Sequence, residues 1–134
     1  MSLNILLVDD HTLFREGLEG LLSRRDINIV AAVGSGQEGL RLAIELEPDV
    51  VLLDMRMPEM DGMDVLRQLR KNGFSNPVAM LTTSSDERDL VESLRSGAQG
   101  YLLKDMEPDQ LVLALRDIVA GKTVVAPDLA PVLA

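Results

Sequence analysis

Five short apolar runs rich in β-branched and aliphatic residues recur along the chain: Ile5 to Val8, Ile27 to Val33, Val50 to Leu53, Val78 to Leu81, and Tyr101 to Leu103. Between them the apolar positions change period. Phe14, Leu18, Leu21 and Leu22 share one side of a helix predicted over about 12–24. Leu40, Ala43 and Ile44 do so over 36–47, and Met63, Leu66 and Leu69 over 62–72. Leu90, Val91 and Leu94 mark a fourth helix over 86–96, and Leu111, Leu115, Ile118 and Val119 a fifth over 107–120. Gly97, Gly100 and Gly121 fall at helix exits, and Pro48 and Pro77 precede strands. Strands alternating with helices predict an α/β fold built of βαβ units on a parallel sheet. The unbroken apolar run Val50–Val51–Leu52–Leu53 suits a central strand covered on both faces. Right-handed crossovers leave few topologies, of which the doubly wound, five-stranded order 2-1-3-4-5 is the expected one.

That order locates a site. Ligands in such sheets bind beyond the carboxyl ends of the strands, where the strand order reverses. Asp9 and Asp10 follow the first strand, Asp54 the third, Thr82 the fourth and Lys104 the fifth. Five polar side chains should therefore converge on one rim.

Composition narrows the chemistry. The chain has 134 residues, enough for one self-supporting domain. We expect a domain over 1–121, with 122–134 as an extended piece leading into a helix start or a linker. Aromatics are only 2% of the residues, so the core must be aliphatic and the lone Tyr101 stands out. The formal net charge of -9 disfavours contact with nucleic acid or anionic membrane. The absence of cysteine excludes disulfides and thiolate metal sites. No apolar run approaches the ~20 residues of a membrane span. No signal-peptide pattern opens the chain, and a cytoplasmic location is the expectation.

Three carboxylates close together raise one another's pKa or require a cation. With no Cys or His cluster available, that cation should be hard and oxygen-bound, and Mg²⁺ fits. The bland reading of Asp9 and Asp10 is helix capping before Thr12. Asp54 and Lys104 at matching strand ends favour the metal. Charge counting points to phosphorylation: three carboxylates and Mg²⁺ sum to about -1, and an acyl phosphate on Asp54 lowers this to about -2. The ammonium of Lys104 restores it. An Asp carboxylate is a known nucleophile toward phosphoryl groups.

DVVLLDMRMPEMDG (49–62), with VDD (8–10), LTTSS (81–85) and GYLLKD (100–105), resembles the response-regulator receiver family across essentially the whole chain. GAQGYLLKDMEPDQL (97–111) and PDLAPVLA (127–134) are similar to its NarL/FixJ subfamily. The resemblance implies a flavodoxin/CheY-like fold and a phosphorylation-activated switch with Mg²⁺ as cofactor. It implies that Asp54 is the phosphoacceptor and Asp10 a direct Mg²⁺ ligand assisted by Asp9. The backbone carbonyl of Arg56 is a further ligand by the same resemblance. Thr82 is implied as the switch hydroxyl, Tyr101 as the aromatic that turns inward behind it, and Lys104 as the partner of the phosphoryl oxygens. Pro58 and Gly62 shape the loop after the acceptor. A sensor histidine kinase is the implied donor, a homodimer on activation the implied assembly, and DNA the target of a helix-turn-helix output domain. Such a domain is not an enzyme beyond its own phosphorylation and dephosphorylation.

Some positions invite other readings. Thr82 can simply end a strand, and Tyr101 can be an ordinary half-buried aromatic. His11, at a helix start, is expected to be exposed and passive. Arg56 and Ser84 sit at the site mouth as candidate modulators of phosphoryl lifetime, the Arg56 guanidinium through contact with the phosphoryl group. Val112 and Leu113 are expected to leave the fifth helix some apolar surface for a partner. Two rival functions share the fold: a phosphorylation-independent interaction module, and a Mg²⁺-dependent Asp-nucleophile phosphatase. The phosphatase lacks the second Asp usual two residues after the nucleophile, where this chain has Arg56.

Overall fold

The computed structural model describes residues 3–133. Met1, Ser2 and Ala134, at the outer ends of the two stretches expected at 1–121 and 122–134, lie outside the described residues. The chain runs β1 (Leu3–Val8), α1 (Thr12–Ser23), β2 (Ile27–Val33), α2 (Gly36–Leu46), β3 (Val50–Asp54) and α3 (Gly62–Lys71). It continues through β4 (Val78–Thr82), α4 (Glu87–Arg95), β5 (Gly100–Leu103), α5 (Pro108–Val119) and β6 (Val124–Val125), then a 3₁₀ segment, Pro127–Leu133. All strand pairs are parallel, in the order β2-β1-β3-β4-β5-β6. The five expected strands take the expected order, and β6 extends the sheet by one short edge strand. Two residues are too few to show a period, which is why this strand was not legible.

Each strand sends alternate side chains to opposite faces. Leu6, Val8, Val51, Leu53, Val78, Met80 and Tyr101 pack on the side that carries Ala43 of α2, Leu66 of α3 and Leu90 of α4. Ile5, Leu7, Val50, Leu52, Ala79, Leu81 and Leu102 pack on the side of Leu18 and Leu22 of α1 and Leu111, Leu115 and Ile118 of α5. β3 and β4 are buried along their whole length, as central strands of such a sheet must be. The stretch after Gly121 packs back on the first of these layers. Ala126 N–H donates to the Tyr101 carbonyl at 2.9 Å, and Leu129 is buried against it. Among the described residues no helix is long and apolar enough to cross a membrane.

Register carries the strand ends to one rim. Val8 pairs with Leu53, so the next residue along, Asp9, stands beside Asp54; Thr82 pairs with Leu103, just before Lys104. The α3 entry is pressed against the acceptor strand. Gly62 N–H donates to the Met55 carbonyl at 3.0 Å, and a Cβ on Gly62 would overlap the carbonyl oxygen of Asp54. Glycine is needed there because backbone meets backbone. Asp61 caps α3 through a reciprocal pair with Asp64, which fixes the loop's exit.

Candidate functional site

The β1–α1 turn is held by its own polar groups. Asp9 N–H donates to the Val33 carbonyl at 3.0 Å, and Arg15 Nη1 donates to the Asp9 carbonyl at 2.6 Å. Asp9 Oδ1 accepts from His11 N–H at 2.8 Å. Neither Asp9 nor Asp10 caps α1; the N-cap is His11, which makes no side-chain cap bond. The bland capping reading therefore fails, and both carboxylates face the rim.

Asp9, Asp10, His11 and Asp54 each offer a ligand atom, all within 4.8 Å of one another. Asp9 and Asp54 are buried, at 0% and 3% exposure. Lys104 Nζ lies 3.0 Å from Asp9 Oδ2 and 3.4 Å from Asp54 Oδ2. It also sits 4.7 Å from the ring centre of Phe14, which fixes the ammonium from below. Burial, then the neighbouring Asp9 carboxylate, raises the Asp54 pKa from 3.8 to about 6, against the opposing pull of Lys104. Asp54 is thus mostly ionised at neutral pH but is a stronger base than an ordinary carboxylate.

Asp9 Oδ2, Asp10 Oδ1 and Asp54 Oδ2 are buried and accept no hydrogen bond from any described donor. Buried acceptors left in that condition are costly. Lys104 compensates two of them by proximity alone. Three orphaned carboxylate oxygens on one rim, with no thiolate nearby, fit a hard, oxygen-bound divalent cation. Asp9, Asp10 and Asp54 are the residues that would hold it.

The remaining expected residues form a second group beside the first. Thr82 is buried at the end of β4, and its Oγ1 accepts from Ser84 N–H at 3.0 Å. Tyr101 is fully buried, in the inward arrangement, and its hydroxyl donates to the Ser84 carbonyl at 3.2 Å. Burial raises the Tyr101 pKa above its usual value. The Arg56 side chain turns toward α4. Its Nη2 donates to Asp89 Oδ2 on α4 at 2.7 Å. On α5, Leu113 is 62% exposed and Val112 partly buried.

His11 departs from expectation in one respect. Its side chain is exposed, but its Nδ1 lies 3.3 Å from both Asp9 Oδ1 and Lys104 Nζ, and 3.6 Å from Asp54 Oδ2. It is a member of the cluster rather than a bystander. Its position directly after two site residues was the available signal. Asp89 was missed altogether, because nothing in the sequence links it to Arg56.

Residues 5–116 match the model of the response regulator receiver domain family. The chain is 44% identical over 131 residues to the nitrate/nitrite response regulator protein NarL of Escherichia coli K12, covering 97% of this chain and 61% of that protein. It is 41% identical over 128 residues to the transcriptional regulatory protein LnrK of Bacillus subtilis, covering 95% of this chain and 58% of that protein. It thus spans about three-fifths of the length of these curated relatives. A solved LuxR-family two-component response regulator from Aurantimonas superposes with a TM-score of 0.92 at 32% identity, covering 98% of this chain and 94% of that one.

Proposed function

The chain belongs to the response regulator receiver domain family, and from that premise we propose that it is switched by a phosphoryl group carried on Asp54. The donor is a sensor histidine kinase. An oxygen of the Asp54 carboxylate attacks phosphorus, the bond from phosphorus to the donor's imidazole nitrogen breaks, and the nitrogen keeps the electron pair. The observation that carries this reading is the pairing of a buried, unusually basic carboxylate with Lys104 at 3.4 Å and three donor-free acid oxygens.

Each side chain has a task that its geometry supports. Asp54 supplies the nucleophile. Lys104 offsets charge on the transferring oxygens. Thr82 Oγ1 already accepts from Ser84, which leaves its hydroxyl proton to donate to a phosphoryl oxygen. Asp10, Asp54 and the backbone carbonyl of Arg56 would hold Mg²⁺, with Asp9 assisting. When bound, the ion neutralises negative charge shared by the carboxylates and the phosphoryl oxygens. Tyr101 follows Thr82 through their shared contact with Ser84. The domain is no enzyme toward other molecules.

The donor has a surface beside the acceptor. An apolar groove of about 390 Å³ runs between α1 and the β5–α5 turn, lined by Leu13, Phe14, Leu18, Lys104, Met106 and Leu111. Leu13 is 87% exposed at its edge. A helical donor domain laid there would reach the rim. In the cytoplasmic whole protein, the switch acts on a DNA-binding output domain, with homodimerisation as the intermediate step.

Incubation with acetyl phosphate and Mg²⁺, followed by intact-mass measurement, tests the reading. Gain of one phosphoryl group is expected, with none in Asp54→Asn or after EDTA. Uptake that persists in Asp54→Asn would sink the assignment.

A further inference from the structure

Arg56 reaches from the loop after Asp54 to the first turn of α4, where Nη2 meets Asp89 Oδ2 at 2.7 Å. The same oxygen accepts from Ser84 Oγ at 2.9 Å. Ser84 Oγ in turn accepts from the N–H of Asp86, the α4 N-cap, at 3.2 Å. Ser84 also contacts both Thr82 and Tyr101. One carboxylate therefore gathers the acceptor loop, the start of α4 and the two residues implied as the switch.

Exposure decides how firmly. The Arg56 side chain is 66% exposed and that of Asp89 20%, so the pair is screened and readily exchanged. A phosphoryl group on Asp54, two residues from Arg56, brings about two negative charges and three strong acceptor oxygens. A guanidinium engages such a group through two parallel donors. Two acceptors then compete for one cation.

We propose that Asp89 is a positioning residue for the phosphoryl site: it holds the Arg56 guanidinium on α4, and the phosphoryl group competes for it. This deepens the reading above and rests on it. Occupancy of Asp54 is exchanged for a contact to α4, so the first turn of α4 registers the phosphoryl group directly. The coupling is reciprocal. A partner that engages Asp89 releases Arg56 toward the phosphoryl group and prolongs its life.

Loss of the phosphoryl group requires water to attack phosphorus. The bond to the Asp54 oxygen breaks, Asp54 leaves as carboxylate, and the water's protons go to inorganic phosphate and solvent. A guanidinium lying over the phosphoryl oxygens obstructs that approach. Asp89→Asn frees Arg56 and should lengthen the lifetime about three- to tenfold, the range between an exposed ion pair and a charge-assisted hydrogen bond.

The test uses the whole chain. Wild type, Asp89→Asn, Arg56→Met and the double variant are loaded with acetyl phosphate and Mg²⁺, desalted, and followed by intact mass. Asp89→Asn is expected to slow the decay, and to do nothing when Arg56 is already Met. Glu92→Gln breaks an ion pair between α3 and α4, Arg67 to Glu92 at 2.9 Å, and should leave the lifetime unchanged. An unchanged lifetime in Asp89→Asn, an equal effect without Arg56, or an equal effect of Glu92→Gln overturns the proposal. Failure of wild type to load at all instead overturns the acceptor assignment, and this inference falls with it.

Discussion

Replacing Asp54 by Asn removes the most strained charge in the site, and the variant should be more stable than wild type in EDTA at neutral pH. Burial and Asp9 raise the Asp54 pKa from 3.8 to about 6. Between these values the folded protein keeps a proton that the unfolded chain has released. The native state therefore binds more protons in that window, and stability falls as pH rises through it. Above about pH 6 the cost is complete: roughly two pKa units, or about 3 kcal/mol. Below the unfolded value both states are protonated and the cost is gone. Asparagine has the shape of the protonated acid and never charges. Lys104 retains Asp9 as a partner at 3.0 Å in both proteins. For a chain of 134 residues, about 3 kcal/mol raises Tm by roughly 10 °C. Circular-dichroism melts in EDTA at about pH 7.5 and about pH 3 read both limits. A gain at neutral pH that vanishes in acid is expected. Mg²⁺ should narrow the gap by stabilising wild type selectively. An Asn variant no more stable than wild type at neutral pH, or a gain equal at both pH values, would refute the reasoning.

Other consequences follow from single side chains. Arg70 donates to the carbonyls of Phe74, Asn76 and Gly97 and to Gln99 Oε1, with no carboxylate among these partners. Arg70→Met orphans those acceptors and should cost about 3 kcal/mol in urea denaturation; a loss under about 1 kcal/mol would contradict its role as a staple. Gly62→Ala drives a Cβ into the Asp54 carbonyl, so it should destabilise by about 2 kcal/mol and slow phosphoryl uptake. Normal uptake would show that the loop gives way freely. Tyr101 has its pKa raised by burial, so phenolate absorbance in the native protein should appear at higher pH than in the unfolded chain. The proton held by the fold means that this residue's contribution to stability is lost as pH climbs through its raised value. Coincident titration curves would place the ring in solvent.

The fold was legible because every major element repeats its signal. Short apolar runs marked the five longer strands, and apolar residues at three- and four-residue spacing marked the five helices. β6 and the 3₁₀ segment gave no such repetition; they are held by one edge of β5 and by Leu129. The acid rim was legible because strand ends are predictable once the strand order is. Side-chain pairing across elements was not. Arg56 and Asp89 lie 33 positions apart, and Arg70 and Gln99 29 apart. No spacing rule connects them; the fold brings the loop after β3 to α4, and α3 to the turn before β5. His11 was placed correctly at the helix start, but the turn between Asp9 and Thr12 decides which way its ring faces.

The central claim is that the rim is one electrostatic unit built to hold a phosphoryl group on Asp54. A crystal structure grown with Mg²⁺ and beryllium trifluoride, a phosphoryl mimic, reads this directly. The account requires beryllium bonded to a carboxylate oxygen of Asp54, magnesium in contact with Asp10, Asp54 and the Arg56 carbonyl, and Lys104 Nζ against a fluorine. Beryllium on another residue, or magnesium bound away from these carboxylates, would contradict it.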